Sequence, residues 1–339
     1  MKCPNCKASQ KRTQGMTCLK CRYNYILDPK DGATGQISDG KFIQIVKTAS
    51  KNGSRYFTFD ALHLAYDQAK QKQNRMGLLF AMVFGLFFSA LLAMIFPPGL
   101  VLSVPIFALG FVSWARRGTA PLEKPDGLRK ALQTWQLKSA AQSRPVPIHL
   151  AKLIDQPGLH PPPPDYREGD LYDYGVERIV LTDDPLLVDL LVRNGFHKEK
   201  HALIVAMDGY PTHLVPVAHR LAEENPSLPV FLIHSPTTDP QAMQERAAAC
   251  GLLPAHPAQL IDLGFSPEEV RANPNLKRFH RNPSAFRPSL LPYSAMTAGF
   301  GACFLSGIGF AELIRRQDAS GGDSSSSASF DSDSDGDFG

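Results

Sequence analysis

Residues 178–193 read RIVLTDDPLLVDLLVR, and this stretch decides the fold of the chain. A short apolar run rich in β-branched residues comes first, and an Asp-Pro pair then opens a helical pattern. The same order recurs twice downstream. The predicted strands are 178–182, 202–206 and 229–233, and the helices that follow them are 185–193, 213–223 and 240–249. Apolar strands alternating with helices predict a parallel sheet covered on both faces, and such sheets bind ligands at the carboxyl ends of their strands.

Three longer strings carry a family likeness: IVLTDDPLLVDLLVRNGFH at 179–197, ALIVAMDGYPTHLVPVAHRLA at 202–222 and LPVFLIHSPTTD at 228–239. The informative features are the interval from Asp183 to Gly195-Phe196, the Gly209-Tyr210-Pro211 turn, and the Leu-Pro-Val strand with its ending. These strings resemble the Toprim domain, most closely its version in the catalytic subunit of topoisomerase VI. The resemblance covers about a third of the chain and predicts a Toprim-like domain over residues 169–281.

A Toprim enzyme works through acidic residues at two strand ends, and the resemblance implies where they would lie here. A glutamate after the first strand serves proton transfer, and an Asp-x-Asp after the third strand holds Mg²⁺ against a phosphodiester. In this sequence Asp183 stands at the glutamate position, and His234-Ser235-Pro236 stands at the Asp-x-Asp position. Histidine is a poor Mg²⁺ ligand and proline is none. The resemblance therefore implies a fold that has kept its shape and lost its metal chemistry.

Other acids close to these strand ends leave an alternative open. Asp183, Asp184, Asp208 and Asp239 could rebuild a catalytic metal site together with His234. Against this, Asp184 and Asp239 each precede a proline at a predicted helix start, where aspartate commonly caps the helix. Capping is the favoured interpretation, so no catalytic residue is predicted.

The N-terminal residues carry two Cys-x-x-Cys pairs, Cys3-Pro4-Asn5-Cys6 and Cys18-Leu19-Lys20-Cys21. Two such pairs supply four soft ligands, which is what a tetrahedral Zn²⁺ site requires. The ligands Cys3, Cys6, Cys18 and Cys21 leave no position open for a substrate, so we predict a structural zinc ribbon over residues 1–28. A pair of disulfides is the alternative, and a reducing compartment argues against it.

The zinc ribbon is also basic, because lysine and arginine side chains surround the cysteines. This charge suits a nucleic acid or nucleotide partner, and it suits equally the anionic headgroups of a lipid bilayer. No row of base-stacking aromatic residues supports the first alternative. The net charge of +4 does not separate the two, since an acidic tail offsets the basic segments.

Residues 76–115 carry no charged side chain. One bilayer crossing needs roughly 20 apolar residues, so the segment is long enough for two, and Pro97, Pro98 and Gly99 fall where a hairpin would turn. Lysine and arginine flank both ends, which predicts that both ends are cytoplasmic. The sequence thus predicts a two-helix transmembrane hairpin in a multi-pass protein of the cytoplasmic membrane. A hairpin buried in a large soluble core is the alternative.

Residues 36–74 are predicted to form a small α+β unit. An alternating pattern at 41–48 favours a strand, a turn is expected at 52–54, and residues 56–59 would pair back as a hairpin. Asp60 would then cap a helix that leads to the apolar segment.

The other segments are predicted from composition. Residues 123–168 combine a juxtamembrane helix at 128–142 with a proline-rich, semi-rigid spacer. A Gly-rich apolar segment at 288–314 has the length of a third span, although positive residues on both of its sides argue against one. The Ser/Asp/Gly tail at 318–339 is predicted to be disordered.

Together these patterns predict a multidomain membrane protein with a zinc ribbon, a transmembrane hairpin and a cytoplasmic α/β parallel-sheet domain of Toprim-like type. The leading functional hypothesis is a membrane-anchored, non-catalytic binding or scaffold protein. The alternative is a metal-dependent phosphoryl-transfer or hydrolytic enzyme that acts on nucleic acid or nucleotide through the rearranged acids. The chemistry at Asp183 and His234 separates the two hypotheses.

Overall fold

The computed structural model describes residues 1–70, 125–139, 148–159, 175–225, 227–253, 260–272, 276, 279–280, 282–291, 293 and 296–300. The predicted transmembrane hairpin at 76–115, the four consecutive prolines at 161–164 and the predicted disordered tail at 318–339 lie outside these residues.

Within this part of the chain, helices and short strands alternate. The helices are α1 (Asp39–Ala49), α2 (59–70), α3 (Asp126–Ser139), α4 (Pro185–Arg193), α5 (Phe196–Glu199), α6 (Val215–Glu224), α7 (Pro240–Ala249) and α8 (Pro267–Ala272). The strands are β1 (Phe57–Thr58), β2 (Leu153–Ile154), β3 (Arg178–Thr182), β4 (Ala202–Ala206), β5 (Val230–Ile233) and β6 (Leu260–Asp262).

Strands β3 to β6 form a parallel sheet in the order β4-β3-β5-β6. Their side chains alternate between two apolar cores, because successive residues of a strand point to opposite faces. Val180 and Ile204 face the core that α4 covers, whereas Ile179 and Leu203 face the core that α6 and α7 cover. All four side chains are at most 1% exposed. Burial on both faces explains why these strands are continuous apolar runs.

The elements predicted around this sheet are confirmed. Strands β3 and β4 and helices α4 and α7 begin and end at the predicted residues, and β5 begins one residue later. Asp184 Oδ1 accepts the N–H of Leu186 at 2.9 Å, and Asp239 Oδ1 accepts that of Gln241 at 3.1 Å, so both aspartates cap helices as predicted. The sequence does not predict strand β6, because this edge strand has only 3 residues and is partly exposed.

The strand predicted at 41–48 is wrong, because these residues belong to helix α1. Ser38 caps this helix by accepting the N–H of Lys41 at 3.4 Å. The ring of Phe42 lies 5.0 Å from that of Trp135 in α3, and both side chains are buried. The β-branched residues that favour a strand locally are outweighed by this helix-to-helix packing.

The hairpin predicted after this segment is also wrong. Strand β1 pairs in parallel with β2, with Phe57 opposite Leu153. Helix α2 starts directly after β1, and Thr58 rather than Asp60 caps it by accepting the N–H of Ala61 at 3.2 Å. The partner strand of residues 57–58 is therefore the distant β2, and not the neighbouring segment at 41–48 that the sequence pattern predicted.

The helix predicted at 128–142 is present as α3 (Asp126–Ser139), and its apolar side packs against α1. Leu132 and Trp135 are 6% and 1% exposed within that core. Gly127 lets the backbone of α3 come close to Gly35, since a Cβ at Gly127 would lie 2.9 Å from the Gly35 Cα. The amphipathic pattern thus serves a protein core.

The structure corrects the predicted membrane class and membrane location. In the described ranges, no helix combines the length and the apolar character that crossing a membrane requires. What the described structure supports is a parallel-sheet α/β region and a cysteine cluster. Within the segment at 288–314, whose third span the sequence leaves open, Leu290, Met296 and Phe300 are buried in the same core as α4.

Candidate metal centre and strand-end site

Each Cys-x-x-Cys pair lies in a tight turn, and the backbone closes both turns in the same way. The N–H of Lys7 donates to the Cys3 carbonyl at 3.0 Å, and the N–H of Arg22 donates to the Cys18 carbonyl at 2.8 Å. Lys7 and Arg22 both have left-handed backbones, with φ of 61° and 58°. The two turns are therefore copies of one structure, and each contributes two thiols.

The four thiols lie close together. The Sγ atoms of Cys3 and Cys21 are 3.6 Å apart, those of Cys6 and Cys18 are also 3.6 Å apart, and all four lie within 4.8 Å of one another. A tetrahedral centre with metal–sulfur bonds of about 2.3 Å has sulfurs about 3.8 Å apart, so the group fits such a centre. A disulfide needs about 2.05 Å, and these cysteines are free. The structure thus confirms a cysteine group that can hold a metal ion.

The electrostatics of the thiols favour a bound cation. Backbone N–H groups of Cys21 and Lys20 lower the pKa of the Cys18 thiol to about 6. Burial raises the pKa of the Cys3 thiol to about 12. Adjacent thiolates repel one another, so the group cannot ionise fully by itself. A divalent ion compensates this charge and deprotonates its thiol ligands.

A buried carboxylate fastens the predicted ribbon at residues 1–28 to helix α1. Asp39 is 1% exposed and accepts the Tyr23 hydroxyl at 2.9 Å. It also accepts the N–H groups of Ile26 and Leu27 at 2.9 and 2.7 Å. Burial raises the pKa of Asp39, and these three donors oppose that rise. The ribbon is therefore attached to the fold by hydrogen bonds to one side chain.

The second candidate site lies where the sheet strands end. Thr182, the last residue of β3, lies opposite Ile233, the last residue of β5, so the residues that follow both strands meet at one edge. The strand-end site comprises Asp183, His234, Ser235, Thr238 and Asp262. The structure thus brings together Asp183 and His234, the two residues on which the functional hypotheses depend.

Asp183 is engaged by the loop that follows β5. Ser235 donates its N–H at 2.9 Å and its hydroxyl at 2.6 Å to Asp183 Oδ2, and the hydroxyl of Thr238 donates to the same oxygen at 2.5 Å. The other oxygen, Oδ1, is buried and has no hydrogen-bond partner among the described residues. A metal ion at Asp183 Oδ2 would have to compete with three donors, so the carboxylate organises this loop.

His234 forms an ion pair where the resemblance places a metal ligand. Its Nε2 lies 3.0 Å from Oδ1 of Asp262, and its Nδ1 lies 2.9 Å from the Ser235 carbonyl oxygen. Because both nitrogens face acceptors, the imidazolium is favoured. Burial lowers the pKa of His234, but these acceptors outweigh it and hold the pKa above its usual value. A Cβ at Gly264 would overlap the imidazole ring.

The four aspartates of the alternative acid site do not form a metal-binding group. Asp184 and Asp239 cap helices, and Asp208 is exposed. Across the described ranges, the four cysteines are the only set of three or more cysteine, histidine or acidic ligand atoms close enough to share an ion. The acids near the strand ends thus act singly, as caps and hydrogen-bond acceptors.

The residues that engage Asp183 and His234 are less visible in the sequence. Thr238 lies in a polar loop and has no spacing that marks it. Asp262 follows a strand too short to stand out, in the string LID at 260–262. The one available signal is that an acid ends an apolar run there, as Asp183 does after β3.

Comparison with known protein families, with curated proteins and with solved structures finds no match to this chain. The resemblance to the Toprim domain therefore stays a prediction.

Proposed function

We propose that this protein is a non-catalytic binding or scaffold protein that holds one structural Zn²⁺ and carries a degenerate Toprim-like domain. Zinc is the metal that the donor set favours, because soft thiolates in a tetrahedral arrangement suit it. With Cys3, Cys6, Cys18 and Cys21 as ligands, the coordination sphere is full. The ion would supply folding energy to the N-terminal turns and offer no position to a substrate.

The absence of catalysis rests on one observation, the ion pair of His234 with Asp262. A Toprim enzyme would need carboxylates at the end of this strand to hold Mg²⁺. Here both imidazole nitrogens face oxygen acceptors, so neither offers a lone pair to a metal. Asp183, the remaining acid of the expected pair, receives three hydrogen bonds on one oxygen. Protein groups thus occupy Asp183 Oδ2 and both nitrogens of His234, which leaves no pair of oxygen ligands here to hold Mg²⁺.

The Toprim-like assignment has weaker support, which comes from the sheet. The predicted strands are parallel, and Asp183 and His234 follow neighbouring strands, as the resemblance requires. A parallel sheet with polar residues at its carboxyl edge is common to many folds. The proposed function therefore depends on the contacts of the strand-end residues more than on the fold.

The test is a cleavage assay with the full-length, zinc-loaded protein. Supercoiled plasmid and a radiolabelled single strand are incubated with Mg²⁺ or Mn²⁺, and Asp183→Ala and Asp208→Ala serve as paired variants. We expect no nicking, relaxation or hydrolysis by any of the three proteins. Metal-dependent cleavage that Asp183→Ala abolishes, while Asp208→Ala and the folded state are unaffected, would overturn the proposal.

A further inference from the structure

A polar cleft of about 440 Å³ lies on a different part of the molecule from both sites above. Four segments form its walls: the loop before β1, the residues around β2, the end of α4 with α5, and the segment that contains Tyr293. Its cations, which define the basic cleft, are Lys51, Arg55, Lys152 and Arg193. The only acidic side chain in its lining is that of Glu199. Within the described ranges, four positive charges thus face one negative charge.

Three of the four cations of the basic cleft have no acidic partner within the described ranges. Glu199 already forms an ion pair with Lys200, at 2.9 Å. The charge of Arg193 is partly compensated within the protein, since its Nε lies 3.4 Å from buried Asp189 and its Nη2 donates to the Gly158 carbonyl. In the same part of the chain, Lys51, Arg55 and Lys152 form no ion pair with an acidic side chain. A concentration of uncompensated cations in a concave site attracts anions.

Two tyrosine rings contact three of the four cations of the basic cleft. The guanidinium carbon of Arg55 lies 4.4 Å from the centre of the Tyr293 ring. The Lys152 ammonium and the Arg193 guanidinium lie 5.3 and 5.8 Å from the centre of the Tyr56 ring. Cation–π contacts of this length favour one orientation of a flexible side chain. The cations are therefore partly preorganised, which reduces the entropy that a ligand must overcome.

The frame of the basic cleft is held by hydrogen bonds that join Asn194 to Tyr56 and Tyr293. Asn194 accepts the N–H of Tyr56 at 2.9 Å and donates its amide to the Tyr56 carbonyl at 3.1 Å. The Tyr293 hydroxyl donates to the Asn194 carbonyl at 3.2 Å. One asparagine at the end of α4 thus fixes both tyrosines, so the cleft is a built feature of the fold.

We propose that the basic cleft binds a small ligand with two or more linked phosphate groups, such as pyrophosphate or the diphosphate end of a nucleotide. Several cations around one concavity match several phosphate oxygens, and the guanidinium of Arg55 offers paired donors to them. The volume suits a small molecule. Cations lie over one or more faces of the Tyr56 and Tyr293 rings, so the groups nearest to a bound ligand are those that recognise phosphate.

This inference rests on the binding role proposed above and names a ligand for it. The two proposals fail separately, because the basic cleft shares no residue with the strand-end site. Loss of phosphate binding would leave the cleavage result unchanged, and cleavage at Asp183 would leave the cleft unchanged.

The test is isothermal titration of the full-length, zinc-loaded protein with pyrophosphate, ADP, orthophosphate and sulfate. We expect pyrophosphate to bind at least about tenfold more tightly than orthophosphate or sulfate, and to weaken as salt rises, since charge carries the affinity. ADP that binds like pyrophosphate identifies the linked phosphates as the recognised group. ADP that binds more tightly than pyrophosphate indicates an additional nucleoside contact at the same site. Either result for ADP supports the proposal.

Variants connect the binding to the basic cleft. Arg55→Gln and Lys152→Gln should each weaken pyrophosphate binding at least about fivefold, because each removes a charge-assisted contact. Arg246→Gln, an exposed arginine on α7 outside the cleft, is the matched control and should bind as the wild type does. If Arg55→Gln alters the unfolding midpoint, exposed Lys51→Gln replaces it. No binding of pyrophosphate or ADP, or binding that none of the cleft variants weakens, would overturn the inference.

Discussion

The cysteine centre and the strand-end site both gather residues of metal-ligand type, and they differ in what satisfies those residues. At the cysteine centre the sulfur atoms face one another at 3.6 Å, and the charge of four thiolates needs a cation. At the strand-end site, Asp183 accepts three hydrogen bonds and His234 is paired with Asp262. The cysteine sulfurs thus remain available to a metal ion, whereas Asp183 Oδ2 and both nitrogens of His234 are engaged by protein groups.

The largest effect should follow from breaking the cysteine centre. Cys18→Ser removes one of four thiolates, and structural zinc contributes on the order of 10 kcal/mol to the folding of such small modules. Hydrogen exchange should show that residues 1–28 lose protection while β3 to β5 keep theirs. Cys250→Ser, at an exposed cysteine outside the group, is the control and should change neither region. Protection of residues 1–28 that survives Cys18→Ser and a chelator would show that the ribbon folds without metal.

A second variant disrupts the packing of Gly264 against His234 in the strand-end site. In Gly264→Ala the new methyl group would overlap the buried imidazole of His234. We expect a loss of about 1–3 kcal/mol in the free energy of unfolding, measured by denaturant titration. Gly40→Ala, in α1 with open space around it, should be neutral or stabilising by up to about 1 kcal/mol. Equal stability of the two variants would show that the ring is not fixed where the structure places it.

Asp183→Asn separates a structural acid from a catalytic one. The amide keeps one oxygen acceptor but adds a donor beside Ser235 and Thr238, so we expect destabilisation by about 1–2 kcal/mol. Asp208→Asn, at an exposed aspartate, should unfold like the wild type. Zinc content should be the same in both variants. An Asp183→Asn protein with unchanged or greater stability would indicate an acid kept for chemistry rather than for structure.

The smallest effect concerns pH and the pair of His234 with Asp262. The raised pKa of His234 gives stability that is complete below its ordinary value of 6.5 and is lost as pH rises through the folded value. Burial raises the pKa of Asp262, but His234 and the Gly264 N–H lower it by more, so the folded pKa lies below the ordinary value of 3.8. The contribution of Asp262 to stability is therefore complete above pH 3.8 and is lost as pH falls through the folded value. The pair therefore stabilises most between these limits.

The measurement compares thermal unfolding of the wild type and of Asp262→Asn from pH 4 to pH 9. We expect the wild type to exceed the variant by at most about 1 kcal/mol near pH 5–6, because Asp262 is 49% exposed, and the difference to shrink at higher pH. A difference that grows above pH 7 would contradict the imidazolium at this edge.

The sequence predicts the sheet region well, for reasons that particular residues show. Ile179, Val180 and Leu181 form a run that only burial on both faces explains, and Asp-Pro pairs mark where α4 and α7 begin. The cysteine site is equally visible, because all its ligands lie in two short local turns. In these cases the information is contained within a few neighbouring residues.

Prediction fails where a distant partner decides the structure. Residues 41–48 alternate like a strand, but packing on Trp135 makes them helical. Phe57 finds its strand partner at Leu153, far along the chain. The same holds at the strand-end site, where Asp262 and Thr238 determine what His234 and Asp183 can do. The local spacing of residues in the sequence does not predict contacts between such distant segments.

The central claim is that the cysteine centre, and not the strand-end site, holds the metal. Its most direct test is elemental analysis of the full-length protein after dialysis from excess Mg²⁺, in the wild type, in Asp183→Ala and in the Cys18→Ser, Cys21→Ser double variant. The account predicts one zinc per chain in the wild type and in Asp183→Ala, no zinc in the double variant, and background magnesium in all three. Stoichiometric magnesium that Asp183→Ala removes, or zinc that remains in the double variant, would contradict it.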